Sequence, residues 1–436
     1  MRKKQINVGV ITLGCPKNIA DTESLLAEFP QDIRLTGVDK ADIVLLNTCA
    51  FLGKARDEAY EKLASLKGKK VILTGCLTGL LKKDIFKKYP HLYAVVSGFH
   101  YPEIAPILKE VAEGKKIYAV SPEPTHYIGM PGKLLITPPS YAYVKIAEGC
   151  NNACRFCLIP TLKGRYRSRP EKSILDEVKS LLKLGVKEIV LVAQDCGYYG
   201  VDLYKKKKLA DLLKKITAVK GDFWVRVLYV YPERLDKELL SVIKKSPKIA
   251  KYLDIPLQHG DPEILRAMRR PYDTARTLRK IRDIRKAIPA IALRTSLIVG
   301  FPGETAQNFK SLLTFIQTIQ FDHVGVFEYS REKGTDAYPL KGQIPERVKK
   351  ERRKKAMLLQ QKISFGKNKI LAGQKQTALI EHYDADKKCY SGRIMKFAPE
   401  IDGFVYIRSE KPLTLNRFHT IRITEAGPYD LWGHPE

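Results

Sequence analysis

The chain has 436 residues, 44% of them hydrophobic and 28% charged; this is the composition of a soluble globular protein too long for one ordinary core. Eight cysteines are too few for a disulfide scaffold at this length, and no run approaches the apolar length of a membrane span. The net charge of +30 is unevenly spread: residues 1–120 carry 19 basic against 13 acidic residues, 121–367 carry 48 against 25, and 368–436 carry 10 against 9.

The basic excess therefore lies in the middle, in runs such as KKKK (205–208) and KKERRKK (349–355). It favours an anionic partner such as RNA or a ribonucleoprotein surface, although any one run is more simply a solvated helix face.

In chain order, MRKKQINVGVITLG places basic residues before an apolar run. The run is short, contains Asn7 and lacks a small-residue cleavage site, so it reads as a strand of a cytoplasmic protein rather than a leader. INVGVITLG, ADIVLLNT and KKVILTG are strand-like and alternate with helical ADTESLLAEF, KARDEAYEKLASL and LLKKDIFKKY. That alternation predicts a parallel α/β domain over 5–120. SPEPTHYIGMPGKLLITPPS (121–140) interrupts it, and a linker is expected over 121–135.

Over 136–366 the alternation recurs about six times, with strands YAYVKIAEG, KEIVLVAQD, FWVRVLYV, YLDIPLQH, ALRTSLIVG and HVGVFEYS. Six βα units fit a partial or full TIM-like barrel, here (βα)6. From 368 to 436 the pattern turns to short β-rich runs, QTALIEHY, CYSGRIM, DGFVYIRS and FHTIRITE. These predict a small antiparallel β-barrel of the kind used for docking. The fold class expected for the whole is α/β.

Cys150, Cys154 and Cys157 fall within CNNACRFC, directly after the first strand of the barrel region. Active sites of α/β barrels lie at that end of the strands. Three thiolates from one loop suit three irons of a 4Fe–4S cube and leave the fourth iron open. A structural zinc site needs a fourth Cys or His, and none follows closely, so zinc is the weaker alternative. A second set, Cys15, Cys49 and Cys76, follows three successive strand-like runs of the first domain, each beside small residues. Strand ends of an open parallel sheet converge on one crevice, so a second 4Fe–4S cluster is expected there. Cys196 and Cys389 read as ordinary thiols, and His259 as a structural histidine.

The spacing CxxxCxxC with Phe156 before the last cysteine resembles the radical S-adenosylmethionine (SAM) superfamily. With both triplets present, the whole chain resembles the methylthiotransferases, which share a cluster domain, a radical SAM barrel and a C-terminal TRAM domain. GCPKN (14–18), VAQD (192–195), VGFPGET (299–305), FAPEIDG (397–403) and YDLWG (429–433) are similar to the RimO branch. The MiaB branch, which acts on an isopentenyladenosine in tRNA, usually has GCQMN in place of GCPKN.

The resemblance implies two 4Fe–4S clusters and SAM. It also implies a deoxyadenosyl radical made at the barrel cluster, and methylthio transfer to the β-carbon of an aspartate in ribosomal protein S12. It implies the ribosome as partner, a flavodoxin- or ferredoxin-type electron donor, a sulfur carrier, and a monomer. Phe156, Gln194, Asp195 and Gly300 are the candidate SAM contacts. A near-neutral C-terminal barrel suits a protein target better than tRNA, whose binding rests on phosphate contacts. The alternatives are a MiaB-like tRNA enzyme and a non-catalytic zinc- or RNA-binding protein.

Overall fold

A computed structural model describes residues 5–121, 132–270 and 273–436. The greater part of the expected linker, 122–131, lies outside the described residues.

The first region is a parallel sheet in the order β2-β1-β3-β4-β5-β6. Its strands are β1 (Ile6–Thr12), β2 (Ile33–Leu35), β3 (Ile43–Thr48), β4 (Lys70–Gly75), β5 (Leu92–Val96) and β6 (Ile117–Ala119). Helices α1 (Pro16–Ala27), α2 (Gly53–Ser65), α3 (Ile85–Lys88) and α4 (Ile104–Ala112) connect them. β3 is buried at every position, as expected of a strand covered on both faces. α4 buries Ile104, Ile107, Leu108 and Val111, the spacing of one helical stripe.

Three strands stand where the sequence pattern predicts them; β2, β5 and β6 are additional. The expected helix over LLKKDIFKKY shrinks to the single turn α3. Pro90 pushes Tyr89 out of the helical region, to φ −126° and ψ 85°.

The central region is an arc of six parallel strands: β7 (Tyr141–Lys145), β10 (Glu188–Val192), β11 (Trp224–Val227), β12 (Tyr252–Asp254), β13 (Ala292–Val299) and β14 (His323–Glu328). They pair as β7-β10-β11 and β12-β13-β14, and a parallel bridge from Val225 to Ile249 joins the halves. Short β8 (Ala147–Glu148) and β9 (Arg167–Ser168) pair antiparallel beside β7. The helices are α5 (Ile159–Lys163), α6 (Glu171–Lys183), α7 (Val201–Tyr204), α8 (Leu209–Thr217), α9 (Lys237–Lys245), α10 (Pro262–Ala267), α11 (Thr274–Ala287) and α12 (Ala306–Ile319).

A long helix, α13 (Glu346–Lys369), packs on β14 and leads into a closed five-stranded barrel. That barrel comprises β15 (Lys375–Asp384), β16 (Cys389–Ile394), β17 (Val405–Ile407), β18 (Arg417–Ala426) and β19 (Leu431–Pro435). One of its pairings, β17 with β19, is parallel. β19 was legible in the sequence only as part of the YDLWG motif; it is the strand that closes the barrel.

All three regions meet inside the central arc. From the carboxyl ends of the strands, Ile19 and Ala20 of α1 pack against the inner cluster of Tyr143, Val192 and Leu228. From the opposite end, Met395, Ala398 and Ile401, on the loop between β16 and β17, pack into the same cluster. That loop is held by polar contacts: the Tyr141 and Tyr143 hydroxyls donate to Glu400 at 2.9 and 3.1 Å, and the Tyr252 hydroxyl donates to Asp402 at 2.7 Å. Phe397 is 1% exposed, and its burial contributes about 1.5–3 kcal/mol.

Beneath the loop lies a buried charge set. Glu188 accepts from Arg226 and from Arg393, each at 2.6 Å, and Arg393 also donates to Glu381 at 2.7 Å. Arg226 comes from the arc and Arg393 from the small barrel, so one carboxylate joins two domains. Arg393→Met is expected to cost about 3–5 kcal/mol, because it strands buried carboxylates. Lys172→Met, which breaks an exposed i,i+4 pair with Asp176, is expected to leave stability unchanged. Urea melts of the full chain check both.

Candidate active site

The loops after β1, β3 and β4 carry Cys15, Cys49 and Cys76. Close approach of these loops requires two glycines. Gly14 has φ +100°, and a Cβ there would lie 2.6 Å from the Cβ of Cys49. Gly75 has φ +91°, and its Cβ would lie 2.2 Å from the side-chain oxygen of Asn47. Asn18 then ties the set together: its amide donates to Leu13 O at 2.9 Å and Thr48 O at 3.0 Å. Its Oδ1 lies 3.9 Å from both Cys15 Sγ and Cys76 Sγ.

The second set follows β8. Cys150 Sγ accepts from the backbone and side-chain N–H groups of Asn152, both at 3.4 Å, and Cys157 Sγ accepts from Ile159 N at 3.4 Å. Cys154 Sγ receives Arg270 Nη1 at 3.3 Å, and the Arg270 guanidinium lies over the Tyr231 ring, 4.1 Å from its centroid. At Cys150 the Asn152 donors, and at Cys157 the Ile159 N–H and the Arg270 charge, oppose the effect of burial without outweighing it.

All six cysteines line one cavity of about 370 Å³, between the first sheet and the carboxyl ends of the arc strands. Burial pushes the Cys76 and Cys157 thiols up to about 12 and raises Cys49 and Cys150 as well. A metal binding there must displace their protons. Among the described residues no three Cys, His, Asp or Glu side chains are placed to hold a single metal ion. A 4Fe–4S cube takes three cysteine sulfurs on three separate irons. Three thiols per side, all facing one cavity, fit that kind of group.

A four-charge web sets the two domains against each other. Lys145 pairs with Asp21 of α1 and with Glu148; Lys163 lies 3.4 Å from Glu148 and 3.8 Å from Asp21. Burial alone would raise the Glu148 carboxyl, but Lys145 and Lys163 hold it well below the usual range.

Of the candidate SAM contacts, Phe156 and Gln194 line the cavity. Gln194 Nε2 donates to Glu148 at 3.3 Å, while its buried Oε1 has no hydrogen-bond partner among the described residues. Asp195 and Gly300 are not in the lining. Asp195 is 1% exposed and caps the turn after β10 by accepting from Gly197 N at 3.1 Å. It also lies 3.5 Å from Asn152 and from Arg234. Gly300 N donates to Glu304 at 2.8 Å, within the turn that leads to α12. His259 is buried, accepts from Asp261 N at 3.0 Å and lies 3.5 Å from Glu304.

Sequence reasoning missed Lys17, Asn18, Tyr229, Gln258, Arg270 and Arg294 as site groups. GCPKN held the signal for the first two. Tyr229 and Gln258 line the cavity with φ of 58° and 73°, backbone conformations that non-glycine residues adopt at a cost of about 1–2 kcal/mol. Nothing in their local sequence marks this.

The chain matches the Radical SAM superfamily over residues 144–316, the uncharacterized protein family UPF0004 over 7–97 and the TRAM domain over 372–435. It is 42% identical to the ribosomal protein uS12 methylthiotransferase RimO of Caldanaerobacter subterraneus subsp. tengcongensis, covering 98% of this chain and 99% of that one. It is 44% identical to the protein of the same name from Gloeobacter violaceus, covering 98% of each chain. In fold it is similar to the radical SAM methyltransferase TsrM of Kitasatospora setae, solved with cobalamin and a 4Fe–4S cluster. The TM-score there is 0.56 at 14% identity, over 77% of this chain and 74% of that one. Near-full-length identity of this size, spanning both cysteine sets and the small barrel, places the chain in the RimO family of radical SAM methylthiotransferases.

Proposed function

We propose that the chain adds a methylthio group to the β-carbon of an aspartate in small-subunit ribosomal protein S12, holding two 4Fe–4S clusters. Cys150, Cys154 and Cys157 hold one, and Cys15, Cys49 and Cys76 hold the other. The observation that carries this reading is that both triplets line a single cavity. When bound, the clusters and SAM supply the one-electron chemistry and the sulfur seat that opening an unactivated C–H bond requires and that side chains lack.

The residues of the chain provide the setting. Phe156 packs with Phe301, Tyr329 and Met268 and gives the cavity an apolar wall that keeps water from a reactive centre. Gln194 offers an unpaired amide oxygen at the end of β10, suited to a donor on SAM. Asp195 and Gly300 act from behind, Asp195 by holding Asn152 against Cys150 and Gly300 by shaping the turn before α12.

The near-neutral small barrel and the basic central region suit a protein substrate framed by rRNA phosphates. The reading further includes the ribosome's compartment, the cytoplasm, with a flavodoxin- or ferredoxin-type electron donor, a sulfur carrier and a monomeric enzyme.

Deleting the gene is expected to remove one methylthio increment from the intact mass of S12. An unchanged S12 together with loss of a methylthio-adenosine from tRNA would move the substrate to tRNA. Cys49→Ala and Cys150→Ala are each expected to lower bound iron and inorganic sulfide by about half in anaerobically prepared protein. Cys150→Ala should abolish SAM cleavage, whereas Cys49→Ala should retain cleavage and lose transfer. Full transfer by the Cys49 variant would sink the two-cluster scheme.

A further inference from the structure

Among the described residues three cationic side chains line the cavity: Lys17, Lys163 and Arg294. Two are already engaged. Lys163 faces Glu148 and Asp21, and Arg294 donates to Asp254 at 3.0 Å and lies 3.8 Å from Asp402. Lys17, on the first turn of α1, has neither a hydrogen-bond acceptor nor a carboxylate within ion-pair range among the described residues; its ammonium sits over the Tyr229 ring, 4.1 Å from the centroid. Among the described residues Glu328 is the acidic one in the lining, and Lys54 and Arg353 approach it at 3.6 and 4.0 Å.

Two features coincide at this contact. Tyr229 is held with φ at 58°, and the Lys17 ammonium faces the cavity with no carboxylate in ion-pair range among the described residues. A cation over an aromatic face is held in place without being neutralised, so its N–H donors stay available. The first turn of α1 has no side-chain cap and no acidic residue, so the helix end also favours a negative charge.

We propose that Lys17, steadied on Tyr229, binds the side-chain carboxylate of the substrate aspartate and thereby positions the carbon to be modified. This rests on the S12 reading above. The carboxylate carbon is bonded directly to the β-carbon, so an anchor on the carboxylate leaves the reacting atom a single bond away. Lys17 follows Cys15 by two residues, which places the anchor on the side of the first thiol set. An adenine base offers no carboxylate at this point, so Lys17 is also a specificity residue. In this role it is a binding and positioning residue and transfers neither proton nor electron.

The test measures dissociation constants of the full-length, cluster-loaded chain for two peptides of the S12 target loop, one with the target aspartate and one with asparagine in its place. Wild type is expected to prefer the aspartate peptide by about tenfold or more. Lys17→Met should lose that preference by weakening the aspartate peptide alone, and Lys17→Arg should keep it.

Lys17→Gln repeats the measurement if the Met variant misfolds. Equal weakening of both peptides, a retained preference, or loss of SAM affinity with the preference intact would each overturn the proposal. Wild type binding both peptides equally overturns it while leaving S12 as substrate; wild type binding neither peptide overturns the S12 reading and the proposal together.

Discussion

Six strands curled into an arc without closing leave an apolar inner face that the arc itself cannot cover. The neighbouring domains cover it, and the cavity follows from that. α1 fills the upper part of the interior with Ile19 and Ala20, and the loop carrying Ala398 fills the lower part. Because α1 begins at the first cysteine of its domain, seating the helix in the arc brings that cysteine over the strand ends where the other triplet lies. Placement of the two thiol sets is thus a by-product of core packing rather than of a separate docking surface.

Apolar packing alone would let α1 slide along the arc. The web of Asp21, Lys145, Glu148 and Lys163 opposes sliding, since a shift would leave buried charges without partners. At the other end of the arc Glu188 has the same effect, shared between Arg226 and Arg393. Buried ion sets of this kind add little net stability and a good deal of register. A site assembled from two domains needs register, because an error of an ångström between them would separate the substrate from one of the two thiol sets.

Much of this was legible in the residues. The βα alternation marks the first sheet and the arc, and cysteine spacing with the preceding strand marks both thiol sets. What escaped has common physical causes. β2 and β6 are three residues long, too short for a period to show. β19 pairs parallel to β17 across a barrel whose other strands alternate in direction, a relation that no local pattern carries. Tyr229 and Gln258 reach the cavity through turn conformations, and Arg270 reaches Cys154 across 116 residues of sequence, so their importance lies in contacts that no local pattern carries. Asp195 and Gly300 stand in motif-like stretches, yet both serve turns behind the wall.

The loop that fills the bottom of the arc lies at residues 395–402, after every strand of the arc in sequence. A chain leaving the ribosome folds its early domains first. The arc strands would therefore form while their interior still lacked its floor, with Glu188 and Arg226 waiting for Arg393. Maturation of the catalytic centre is thus tied to residues that follow the arc: a chain cut before residue 395 holds every cysteine of both triplets and still lacks a finished core beneath them.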